Sequence, residues 1–248
     1  MKYLKVFIAA LFVFILAVRG DYVCAGSSQA GGEIYFGPEE IVKFSKKVEK
    51  TLAQKGARVA IIARVGRPRN ELPEGINFTH TAIAVYSQIT TSDGRKIPGY
   101  AIQNLYQRAD QPDVSDLIQD FPVDFFSGVE VLEAGIIIPS PELQKRLLTV
   151  IASPLYKELH NPKYSVIANP FNTELQNCTE HILDLIVAAI YETDDIKLIK
   201  ANEKKYFEPQ VVNVNFVKLF FWFYVYRRCS NIRPFRYPCD CDIYNNWK

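Results

Sequence analysis

Long basic runs, internal repeats and low-complexity tracts are all missing from this chain, and each absence removes a class of function. Lysine and arginine total 29 against 27 aspartate and glutamate. That near-balance leaves no electrostatic footprint for nucleic acid, and no nucleic-acid partner is expected. There is no His-Glu-x-x-His pair, and Cys239-Asp-Cys241 has no histidine close to it in sequence. A zinc enzyme is therefore disfavoured and no metal is expected. No glycine-rich nucleotide loop occurs, so no cofactor is expected either. Histidine is scarce, with three in the chain, which leaves few candidates for a general base.

What is present begins with lysines at Lys2 and Lys5 and an apolar run from Val6 to Val18. The run of about 13 residues is short of the roughly 20 that a spanning helix needs. It matches the basic and apolar regions of a secretory signal, with small residues for cleavage after Gly20 or after Ala25. Residues 1–25 are read as a signal peptide, with an uncleaved membrane anchor as the alternative. The expected location is outside the cytoplasm, periplasmic or secreted, and membrane-associated if the anchor stays. Cysteines of exported proteins tend to oxidise in pairs. Cys229, Cys239 and Cys241 can pair among themselves or with Cys24, whereas Cys178 lies about fifty residues from its nearest neighbour. Cys178 is the natural free thiol.

The segment after the Gly/Ser-rich joint, "GPEEIVKFSKKVEKTLAQKG", reads as a helix, acidic first and closed by Gly56. "ARVAIIARV" (Ala57 to Val65) reads as a buried strand. "FTHTAIAVYSQI" and "GYAIQNLYQ" read as an antiparallel pair across the Ser-Asp-Gly turn. "VSDLIQDFPVDFFSG" is expected to be helical with a break at Pro122, and "VLEAGIIIPS" to be a strand. "SPELQKRLLTVIASPLYKEL" is a helix capped by Ser140 with Pro141 in its first turn. "NPKYSVIANPFN" is mostly loop, with a short strand allowed at Tyr164 to Ile167. A helix follows Asn177, then a polar, lysine-rich segment to Pro209. Helices before and after an antiparallel sheet give an α+β domain, assigned to residues 26–210. The aromatic stretch from Val211 opens a C-terminal extension, residues 211–248, whose role the pattern does not reveal.

The chemistry concentrates on Cys178. Asn177 with Glu180 has the form of a capping box, which makes Cys178 the first helical residue. There the sulfur lies near unpaired backbone N–H groups and the positive end of the helix dipole, which favour the anionic sulfur that a nucleophile needs. Cys178, Ile182, Leu185, Ile186 and Ala189 form one apolar stripe, expected to pack on the sheet. The same stripe fits a cysteine that is only a small buried hydrophobe. A nucleophilic thiol also needs a base. His160 ends a helix, and His181 sits one turn after the cysteine. His80 stands near the start of a strand, on one face with Phe78, Ala82, Ala84 and Tyr86. The small alanines leave room for another element to approach. The next strand carries Gln103, Asn104 and Gln107, and Asn104 is assigned to orient the His80 ring, as an amide does in cysteine hydrolases.

The blocks "ARVGRPRNELPEGINFTHTAIAVYS", "GYAIQNLYQ", "QDFPVDFF", "EAGIIIPSPELQKRLL" and "YSVIANPFNTELQNCTEHILDLI" occur in this order. Together they resemble the bacterial domain-of-unknown-function family 2145, from about Glu39 to Pro209. A strand opening with Thr-His, a strand bearing polar residues, then Asn-Cys opening a helix is similar to the circularly permuted, NlpC-type branch of papain-like folds. That resemblance implies a papain-like arrangement with Cys178 as nucleophile, His80 as base and a polar third residue on the following strand. The expected activity is cleavage of an amide or ester in a cell-envelope peptide or a lipid or acyl substrate. The Cys178 backbone N–H, supported by Gln176 or Asn177, would hold the oxyanion. The competing expectation is a non-catalytic envelope protein that keeps the fold and uses Arg64, Arg67 and Arg69 to bind an anion. Oligomeric state is not legible.

Overall fold

The computed structural model describes residues 34–209. The expected signal peptide, the C-terminal extension and Cys24, Cys229, Cys239 and Cys241 lie outside the described residues.

The chain opens with helix α1 (Pro38–Gln54), started by a proline and two glutamates in its first turn. It buries Ile41, Ser45, Val48 and Leu52, one stripe at three- and four-residue steps. Strand β1 (Val59–Val65) follows, then β2 (His80–Thr90) and β3 (Lys96–Gln107). Gly94, at φ +81°, makes the tight turn between the last two, where a side chain would be strained. β4 (Ser115–Asp120), the short helix α2 (Pro122–Phe126) and β5 (Val131–Ile137) complete the sheet region. The five strands stand in the order β4-β3-β2-β1-β5, every pair antiparallel.

Helix α3 (Pro141–Ala152) is capped by the Ser140 hydroxyl, which accepts from Leu143 N. It stops at Ser153-Pro154 and resumes as one turn, α4 (Leu155–Glu158). Helix α5 (Cys178–Tyr191) begins at the cysteine, and α6 (Ile196–Tyr206) closes the described fold. The result is an α+β domain with helices on both faces of one antiparallel sheet.

Three stretches differ from the sequence reading. Residues 115–120 form a strand and not a helix. Val114, Leu117 and Ile118 mimic helical spacing, but pairing with β3 from Gln107↔Ser115 to Ile102↔Asp120 decides the outcome. The lysine-rich segment before Pro209 is helix α6, because Ile199, Lys200 and Glu203 are buried against α5. A buried lysine and glutamate hid the apolar stripe. The suggested strand at Tyr164 to Ile167 reduces to one bridge, Tyr164↔Gln176.

The pleat divides the interior in two. Ala60 and Ile62 of β1, Ala82 and Ala84 of β2, and Tyr100 and Ile102 of β3 pack against α1 and α2. On the opposite face Val59, Ile83 and Val85 pack against Leu147 of α3, Ile182, Leu185 and Ala189 of α5, and Ile199 of α6. Each large side chain so removed from water contributes about 1.5–3 kcal/mol. The apolar stripe expected on the cysteine helix does lie on the sheet.

Candidate functional site

His80 is the first residue of β2 and only 1 % exposed. Its cross-strand neighbour on β1 is Arg64. The imidazole stacks on Tyr106 at 4.9 Å and leans on Phe125 at 5.7 Å between ring centres. Its Nε2 lies 3.1 Å from Asn104 Oδ1, while Nδ1 is buried without a hydrogen-bond partner. Burial, and then the positive charge of Arg64, push the His80 pKa well below the ordinary value, so the ring is neutral at neutral pH.

The Asn104 amide is held on its other side. Its Nδ2 donates to Asp120 Oδ1 at 2.8 Å and more weakly to the Ile102 carbonyl at 3.3 Å. The Tyr106 hydroxyl donates to Asp120 Oδ2 at 2.8 Å. Burial raises the Tyr106 pKa, which keeps that hydroxyl a donor. Burial likewise pushes the Asp120 carboxyl up to about 7. Arg64 closes the group: its guanidinium donates to the Phe125 carbonyl and sits 5.0 Å from the Phe125 ring centre and 5.7 Å from that of Tyr106. Strands β1 to β4 and helix α2 thus assemble a polar cluster of buried Arg64, His80, Asn104 and Tyr106 with half-buried Asp120.

Cys178 opens α5 and is 7 % exposed. Asn177 caps the helix, its Oδ1 accepting from Glu180 N at 2.9 Å and its Nδ2 donating to Val166 O at 3.2 Å. Glu180 does not complete the expected capping box. Its carboxylate turns to Lys200 at 3.0 Å. Gln176 spends every amide hydrogen elsewhere: its side chain donates to Leu159 O and Asp184 Oδ2, its backbone N–H to Lys163 O. It has none left for an oxyanion.

The sulfur rests with Leu105 and Tyr164. Leu105 points to the α5 side of the sheet, opposite to its neighbours Asn104 and Tyr106. The room beside Ala82 and Ala84 is filled by Phe125 and Phe126 of α2, not by the cysteine helix. Cys178 and His80 therefore approach the start of β2 from its two faces, and no hydrogen bond joins the thiol to the ring. Their neighbours do meet, with Thr81 Oγ1 and Thr179 Oγ1 3.4 Å apart. His181 is turned away, buried edge-on to Tyr156 and His160, and burial lowers its pKa to about 3. His160 bonds Ser115 Oγ at 3.0 Å. Of the loop arginines, Arg64 is buried in the cluster and Arg69 pairs with Glu133 at 2.6 Å. Among the described residues, no group of three or more His, Cys, Asp or Glu side chains could hold a metal ion.

Sequence reasoning missed Arg64, Tyr106 and Asp120 as members of one cluster. The available signal was the alternation Asp116, Ile118, Asp120, which puts both carboxylates on one face of a strand. No helix among the described residues is long and apolar enough to cross a membrane. No curated protein and no solved structure was found to match the chain. One family model does match, over residues 51–227, and its description is an uncharacterized protein conserved in bacteria, DUF2145. By that match, which spans well over half of its length, this chain belongs to the DUF2145 family of bacterial proteins.

Proposed function

We propose that the protein is an exported cysteine hydrolase of the NlpC-type, papain-like kind, cleaving an amide or ester in a cell-envelope peptide or an acyl substrate. Cys178 is the nucleophile, His80 the base and Asn104 the group that orients the ring. The observation that carries the reading is the division of labour on the imidazole. Asn104 Oδ1 lies at Nε2 and Nδ1 is buried without a hydrogen-bond partner; an amide oxygen at Nε2 calls for the ring hydrogen there, which leaves the lone pair on Nδ1. That is the state in which a histidine can take a thiol proton.

The Thr81–Thr179 contact supports it, because it brings the first turn of α5 to the first residues of β2. The thiol has still to reach the ring. A shift of the first turn of α5 along the end of β2, with rotation of the Cys178 side chain away from Leu105, is the movement required. Catalytic hydrogen bonds are often long before substrate binds and tighten afterwards. In the reaction His80 Nδ1 accepts the thiol proton and sulfur attacks the carbonyl carbon. The leaving amine or alcohol departs with that proton, and water then releases the acyl group from sulfur. The Cys178 backbone N–H, at the start of α5, is the donor assigned to the oxyanion.

The seat of the sulfur on Leu105 and Tyr164 favours a second reading, an envelope protein that keeps the fold to bind and not to cleave. Alkylation separates the two. Iodoacetamide at neutral pH, with the modified peptide located by mass spectrometry, should label Cys178 in the folded protein. His80→Ala should slow that labelling by about 10²-fold. Labelling that needs denaturant, or that is indifferent to His80→Ala, removes the hydrolase reading. Cell-wall fragments and acyl lipids incubated with wild type and with Cys178→Ala then report the substrate class.

A further inference from the structure

The cluster around His80 contains a carboxylate that the reaction above does not use. We propose that Asp120 is a positioning residue: by accepting from Asn104 Nδ2 it holds the amide with Oδ1 toward His80, and so fixes the ring as the Nε2–H tautomer. The inference rests on the hydrolase reading for its chemical consequence, but the tautomer itself is a property of the folded chain.

The argument is one of donors and acceptors. An ionised carboxylate only accepts, so the Asn104 atom facing Asp120 must be the NH2 group. The oxygen then faces His80, and an oxygen only accepts, so the Nε2 that meets it must carry the hydrogen. A neutral imidazole has one N–H, which leaves Nδ1 as the lone-pair nitrogen. Nδ1 is also the ring atom without a partner. The Tyr106 hydroxyl fills the second carboxylate oxygen, so Asp120 is held at both ends. Reversing the amide would point an N–H at Nε2, move the ring proton to Nδ1 and remove the base. In the serine-protease triad, a wrong tautomer costs about 10⁴-fold.

The same wiring makes the ring sensitive to protonation of Asp120. The groups facing that carboxyl are Asn104 and Tyr106 from β3, Asp124 from α2 and the charge of Arg64 from β1. Once protonated, Asp120 can donate to Asn104 Oδ1 and permit the amide to turn. His80 stays neutral in that range because its own pKa lies well below the ordinary value.

Two-dimensional ¹⁵N–¹H spectra of histidine-labelled protein, tuned to the long-range ring couplings, distinguish the two tautomers directly. Wild type should show His80 as pure Nε2–H above the Asp120 titration and lose that state below it. Asp120→Ala should lose it throughout and slow Cys178 alkylation at least tenfold. Asp120→Asn, whose side-chain oxygen can still accept from Asn104, should restore the tautomer and make it independent of pH. Asp116→Asn, in a surface pair with Arg108 on the same strand, should change nothing. A wild-type tautomer in Asp120→Ala overturns the proposal, since the Ile102 carbonyl alone would then suffice. If Asp120→Ala does not fold, equal pH behaviour in wild type and Asp120→Asn overturns it. An unreactive Cys178 beside a tautomer that follows Asp120 would count against the hydrolase and not against this assignment.

Discussion

At the level of single residues, the cluster is exacting because Arg64, His80, Asn104 and Tyr106 are buried and cannot turn to water. Asn104 is 1 % exposed and serves both His80 and Asp120. Asn104→Ala leaves the His80 Nε2–H without its partner and removes the amide donor from Asp120 Oδ1, while Tyr106 keeps the other carboxylate oxygen. Each buried polar group so orphaned costs about 1–3 kcal/mol. Urea denaturation should show that loss, together with slower alkylation of Cys178; wild-type stability would mean that the amide contributes nothing to holding the fold. His80 and Asn104 were legible in the sequence because both are polar residues on otherwise apolar strand faces. Their partners were not, since Arg64 sits among loop-like arginines and Asp120 lies in a stretch whose apolar spacing imitates a helix. The side from which Cys178 arrives was also hidden. Alternation fixes which residues share a face, but it does not say which helix will cover that face.

Among the elements, α5 shows how much a local signal can specify. The Asn177 cap, the cysteine at the first helical position and the Ile182–Leu185–Ala189 stripe were all readable, and the helix runs over Cys178–Tyr191. The fate of Glu180 was not readable, because Lys200 comes from an element whose burial pattern is charged. Asn177 does two things, capping α5 and tying the preceding loop through Val166 O. Asn177→Ala should therefore cost about 1 kcal/mol for the cap alone. It should also speed hydrogen exchange and proteolysis in residues 163–177 before the rest of the domain responds. A uniform response across the domain would mean that cap and loop are not coupled.

Across the whole molecule, buried titratable groups set how stability depends on pH. Burial pushes the carboxyls of Asp120 and Glu180 up to about 7, and that of Glu203 upward as well. A carboxyl with a raised folded pKa keeps its proton longer in the folded chain. Its stabilisation is full below the ordinary carboxylate range and is lost as pH rises through about 7 and beyond. The three histidines act in the opposite sense. Burial lowers each of them, so their contribution is present above 6.5 and lost as pH falls below it. Below pH 6.5 the two effects oppose; above it only the carboxyls change. The Tm should thus fall between about pH 6.5 and 8.5 and vary less between about pH 5 and 6.5. Glu203→Gln should flatten the alkaline fall. A Tm that climbs across that alkaline interval contradicts the assignment.

The touching threonines, Thr81 and Thr179, are 98 positions apart along the chain. The ribosome delivers the imidazole long before the thiol, and nothing made in between can complete the pair. Closing so long a loop is a late, slow event. Any chain cut short before Cys178 therefore carries one half of the pair without the other, and whatever the two groups do together waits for the second half to be made.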